Sequence, residues 1–175
     1  VGLAYLANGA TLLLTGLLGR LRGAAVVNPV ECIGLYPLPL QLLLAGLIAP
    51  AAEEFLFRRL LLRRLRPYGE RFALVASALC FGLFHGNLNQ FFYAFLLGLV
   101  LAELALSTGC LWQAVLLHAL VNLFSILWGW LGGPVVVTGV LMLAGAMVPF
   151  RLIPAPLARP DAERGTWRRF LTSPG

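Results

Sequence analysis

Long apolar stretches broken at short intervals by arginine, glycine and proline set the pattern of this chain. Residues 1–18 are apolar with small side chains and predict a first helix. Residues 24–39 hold Pro29, Glu31, Gly34, Pro37 and Pro39, which is too broken for a regular span and predicts a loop or re-entrant segment. A second helix is expected over 38–65, ending in Arg59, Arg63, Arg64 and Arg66 before the turn signal Pro67-Tyr68-Gly69. Further apolar runs predict a third helix over 71–87, a fourth over 91–107, a fifth over 111–131 and a sixth over 135–150. An uncharged polar break at 86–90 separates the third from the fourth. The tail, 151–175, carries four prolines and five arginines and reads as irregular.

Composition turns these runs into membrane spans. The chain is 60% hydrophobic and only 11% charged, against about 25% charged residues in soluble domains. Mean hydropathy is +0.89. A span takes about 20 apolar residues, so the expected fold is all-α: a polytopic membrane helix bundle of about six transmembrane helices, forming one domain over 1–175. The alternation required of a membrane β-barrel is absent. The net charge is +6 and all thirteen basic residues are arginine. They gather at helix ends and in the tail, as the positive-inside rule requires, so nucleic acid is not the expected partner. Counting spans from a cytoplasmic 59–71 segment puts the tail in the cytoplasm as well. The expected location is therefore a bacterial cytoplasmic membrane, with arginine as the only basic residue pointing to a GC-rich source. Cys32, Cys80 and Cys110 are scattered and form no disulfide framework. The chain begins at Val1, and its first apolar run lacks the basic region and cleavage pattern of a signal peptide. It reads as a fragment missing N-terminal residues.

Charge inside the apolar runs is what points to chemistry. Glu53, Glu54 and Arg58 lie within the second helix, about 15 Å from Arg63 for Glu53 at a rise of ~1.5 Å per residue. An unpaired charge at that depth costs about 2.5–3.5 kcal/mol on insertion scales. Glu54 and Arg58 are four apart and can pair, whereas Glu53 has no such partner in its own segment. The chain's two histidines, His85 and His118, both fall in predicted membrane helices. Phe81 precedes His85 by four, Asn89 follows it by four, and Asn122 follows His118 by four, so each set shares a helix face. Such groups are expected to turn inward to one cavity. A carboxylate there can act as general base on water. A histidine beside it can orient the water and shuttle its proton, and a second histidine with an amide can donate to an oxyanion. No serine or cysteine makes a nucleophile–base contact with a histidine on the same helix.

Glu53-Glu54-x-x-x-Arg58, Phe81-x-x-x-His85 and His118-x-x-x-Asn122 together resemble the CPBP family of intramembrane proteases, which includes the type II CAAX prenyl endopeptidases and the bacteriocin-immunity (Abi) proteins. The resemblance covers roughly 38–150 as the catalytic core. It implies an endopeptidase in which Glu53 and His85 activate water and His118 and Asn122 stabilise the oxyanion. Glu54, Arg58 and Phe81 would then support the site. It also admits a metalloprotease reading: Glu53, His85 and His118 form a zinc set of known type, although without the helical H-E-x-x-H spacing. The favoured expectation is a metal-free, glutamate-held water. The expected partners are the bilayer and a membrane-associated peptide or prenylated protein substrate. A proton-coupled transporter and a non-catalytic immunity protein are the competing functions; the absence of an internal repeat weighs against the first.

Overall fold

The computed structural model describes residues 2–23 and 33–133. Every regular element among the described residues is helical. Helix α1, Gly2–Arg22, runs four residues past the predicted end and stops at Gly23, whose φ of 66° lies in the left-handed region. Most of the predicted 24–39 loop lies outside the described residues. Its last part, 33–36, forms a turn tied to the next helix by Gln41, which donates through Nε2 to the Tyr36 carbonyl at 2.7 Å. The predicted sixth helix and the tail also lie outside the described residues.

Helix α2, Leu38–Tyr68, is one rod of 31 residues, but it is not a uniform α-helix. Pro37 precedes it and Pro39 sits in its first turn, where a missing N–H costs nothing. Two segments, Leu44–Ile48 and Phe55–Leu62, are wound as π-helix, and a 3-10 turn, Arg66–Tyr68, closes the rod. The short α segment Ala49–Glu54 between the two π runs carries the paired glutamates. Gly69 then takes φ 115°, and α3 starts at once.

Helix α3, Glu70–Phe84, is 15 residues long and not the 17 of the predicted 71–87. At ~1.5 Å per residue it covers about 22 Å, short of a bilayer core of roughly 30 Å. The predicted polar break contracts to the three residues 85–87. Gly86 turns the chain at φ 67°, and the Asn87 side chain accepts from the Gln90 N–H at 2.9 Å. Asn87 is therefore an N-cap, and α4, Leu88–Thr108, begins three residues before the predicted start. Helix α5, Leu111–Trp130, follows Gly109.

Three of these rods are long and apolar enough to cross a membrane: α2, the 90–108 part of α4, and α5. Small residues bring the helices close. Ala73, Ala76 and Ala102 lie in the α3–α4 core with Phe72 and Leu74. A Cβ built on Gly98 of α4 would lie 3.1 Å from the Ala78 backbone and from the Phe81 ring on α3. Large apolar side chains such as Leu13, Leu60, Leu120 and Trp112 point outward, the arrangement of a bundle bathed in lipid.

Candidate active site

Polar groups from three helices converge where α2 changes winding. Glu54 is the last residue of the short α segment, and Arg58 stands one turn on, in the second π run. Their spacing brings Arg58 Nε to 3.0 Å from Glu54 Oε2, with both side chains sealed from solvent. The N–H is turned off the oxygen, so the contact is an ion pair and not an aligned hydrogen bond. Arg58 Nη2 donates to the Gly98 carbonyl of α4 at 3.1 Å. Nη1 is buried and has no hydrogen-bond partner among the described residues, but the guanidinium lies 4.6 Å from the centre of the Phe81 ring, a cation–π contact.

His118 of α5 meets both glutamates. Its Nδ1 lies 2.9 Å from Glu54 Oε1, and its Nε2 lies 3.8 Å from Glu53 Oε2. The two carboxylates thus differ in kind. Glu54 is fully buried, with one oxygen on His118 and the other against Arg58, whereas the Glu53 side chain keeps 19% of its surface accessible. The 3.8 Å gap between Glu53 and His118 is too long for a direct hydrogen bond and has the span for a bridging water.

His85 caps the end of α3 and places Nδ1 2.9 Å from the Phe81 carbonyl. No direct hydrogen bond joins it to Glu53 among the described residues. A carbonyl oxygen only accepts, so His85 Nδ1 is the donor. A Glu54 carboxylate likewise only accepts, so His118 Nδ1 donates to it. Each neutral imidazole is thereby left with Nε2 as its acceptor nitrogen.

Phe81 is the hub of the cluster. It is buried, meets His85 edge-on at 5.1 Å, His118 at 5.6 Å and Phe57 at 5.2 Å, and carries Arg58 on its face. One ring therefore fixes the spacing of two imidazoles and a guanidinium. The sequence pattern pairs Phe81 with His85 alone; its contacts with His118 and Arg58 need the third dimension. Asn122 turns toward α2 with His118, but its Nδ2 donates to the Ala45 carbonyl at 2.9 Å. The Asn89 side chain lies outside the described residues. Ser77, buried on α3, donates to the Phe57 carbonyl at 3.2 Å and ties α3 to the second π run.

The donor set of a zinc site is present in kind: two imidazoles with Nδ1 committed and Nε2 left, and one carboxylate. Among the described residues no three His, Cys, Asp or Glu side chains form a ready-made metal cluster.

An all-helical bundle with membrane-spanning rods and a carboxylate–imidazole–guanidinium cluster at its centre defines an integral membrane protein with a buried ionisable site. A sequence model of the family described as Type II CAAX prenyl endopeptidase Rce1-like matches residues 36–124, and the chain belongs to that family. All the clustered residues fall inside the match. Membership makes the protein a membrane-embedded protease, in line with the expected family. No curated protein and no solved structure matches the chain.

Proposed function

We propose that the protein is an intramembrane endopeptidase of the CAAX type, in which Glu53 acts as general base on a water held between Glu53, His85 and His118. The observation that carries this reading is the unequal fate of the two neighbouring carboxylates. Glu54 has both oxygens engaged by His118 and Arg58, while Glu53 keeps accessible surface and lies 3.8 Å from the His118 Nε2.

The water oxygen attacks the scissile carbonyl carbon as its proton passes to Glu53. His85 accepts from the water through Nε2 and aligns it. The carbonyl oxygen becomes an oxyanion. His118, entering the step already protonated on both nitrogens and so not as the neutral imidazole, donates to it through Nε2 while Nδ1–H stays on the Glu54 carboxylate, and the second N–H of Asn122 adds a further donor. The tetrahedral intermediate collapses with C–N cleavage, and Glu53 returns the proton to the leaving amine. No metal enters this scheme. The substrate is a membrane-associated peptide, a prenylated protein C-terminus being the class that the family description names.

The test is cleavage of a prenylated CAAX-type peptide by purified protein in lipid vesicles, read by mass spectrometry. Glu53→Gln and His85→Ala are each expected to lower the rate by about 10²–10⁴-fold, the range for removal of general acid–base help, with unfolding temperature unchanged for E53Q. Wild-type rates in either variant overturn the scheme. Full activity of chelator-treated protein shown metal-free by elemental analysis supports the water-only route, and loss of activity restored by zinc favours the metal alternative.

A further inference from the structure

The first π run of α2 ends where a proline interrupts its hydrogen bonds. The Ala49 N–H donates to the Leu44 carbonyl, five residues back. The next bond in that register belongs to residue 50, whose N–H would reach the Ala45 carbonyl. Residue 50 is Pro50, buried and without an N–H. The Ala45 carbonyl therefore lacks its backbone donor, in a segment where no water of the bilayer core can replace it. Asn122 of α5 fills that place, donating through Nδ2 at 2.9 Å. The two helices touch closely here: a Cβ built on Gly46 would lie 2.5 Å from Leu123 Cδ2.

We infer that Asn122 is a positioning residue that substitutes for the N–H missing at Pro50, and so sets the spacing between the glutamate-bearing turn of α2 and His118. Pro50 lies three residues before Glu53, and His118 lies one turn before Asn122 on α5, so this one bond pins both partners of the Glu54–His118 contact. The inference deepens the proposed function and rests on it only for its activity readout.

A double-mutant cycle tests it. In Pro50→Ala the backbone regains an N–H at position 50 that can reach the Ala45 carbonyl, making the Asn122 amide redundant there. Asn122→Ala is expected to lower the unfolding temperature by about 2–8 °C, to speed amide exchange over 45–58 and to cut turnover at least tenfold. Adding P50A to N122A is expected to recover more than half of the temperature loss, to restore slow exchange over 45–58 and to raise turnover again. If N122A is too unstable to purify, recovery of folded protein by P50A is the positive result, and no recovery overturns the inference. Additive effects of the two changes overturn it. Recovery of stability and exchange without any recovery of turnover overturns the positioning role. The unfolding and exchange readouts need no cleavage, so an inactive wild-type protein would defeat the proposed function while the cycle still decides the role of Asn122.

Discussion

Glu53 and Glu54 are adjacent in sequence and chemically alike, yet their surroundings differ completely. Glu54 sits within a contact chain that runs from Gly98 through Arg58 to His118. A buried ion pair is weak evidence of net stabilisation, but removing one member leaves an uncompensated charge at a cost of about 3–5 kcal/mol. Arg58→Met is therefore expected to destabilise the protein by that amount. Arg58→Met with Glu54→Gln is expected to cost less than the sum of the singles, with a coupling of roughly 1–3 kcal/mol measurable by unfolding in detergent. Additive losses would remove the pair from the account. At this scale the sequence was informative about faces: spacings of four put Arg58 against Glu54 and turned His118 and Asn122 together toward α2. It was silent about which carboxylate His118 would meet. That His118 bonds to Glu54 and only approaches Glu53 depends on how α2 is wound between the paired glutamates and α5, which spacing alone does not carry.

At the scale of elements, the helices are where apolar runs put them, and their ends are where local chemistry put them. Asn87 reads as part of a polar break but acts as an N-cap, moving the start of α4 back to Leu88. The π runs of α2 leave no mark in hydropathy; Pro50 was their one visible sign, since a proline inside an apolar span leaves a carbonyl that some other group must satisfy. The α3–α4 contact is close at Gly98. Gly98 gives its carbonyl to Arg58 and its missing side chain to the backbone of Ala78. Gly98→Ala adds one methyl group 3.1 Å from both the Ala78 Cα and the Phe81 ring. The expected result is a destabilisation of about 1–3 kcal/mol, despite the better helix propensity of alanine, together with a loss of cleavage as Phe81 shifts against both imidazoles. An unchanged unfolding temperature would show that the two helices have slack.

For the whole molecule, charge and connectivity agree. The arginine-rich end of α2 and the α4–α5 turn lie at one end, where Arg59, Arg63 and Arg66 line a cavity of about 80 Å³ with Gly109 and Leu111. The opposite end carries the 85–87 turn, which has no Arg, Asp or Glu, and the end of α5. By the positive-inside rule the arginine end is expected to face the cytoplasm, which labelling can test. With Cys32, Cys80 and Cys110 replaced, Arg64→Cys is expected to react with a membrane-impermeant maleimide only from the cytoplasmic side, and Leu131→Cys only from the other. Labelling of both from one side would contradict the orientation. The helical membrane class was legible from composition, and this end-to-end asymmetry from the positions of the arginines along the chain. The shortness of α3 was not, because the apolar run continues past Phe84 while the backbone turns at Gly86.

The wide turns of α2 bear on its tolerance of length change. A π turn houses about one residue more than an α turn, so the run Phe55–Leu62 stores surplus chain beside Arg58. Deleting one residue there would let the rod rewind as ordinary α-helix with the flanking faces nearly in register, because the residue lost is the surplus that the wide turns hold. Point substitution of the outward-facing leucines in that run should be borne easily, whereas insertion of a residue between Glu54 and Arg58 would break their spacing of four and part the carboxylate from its counter-ion.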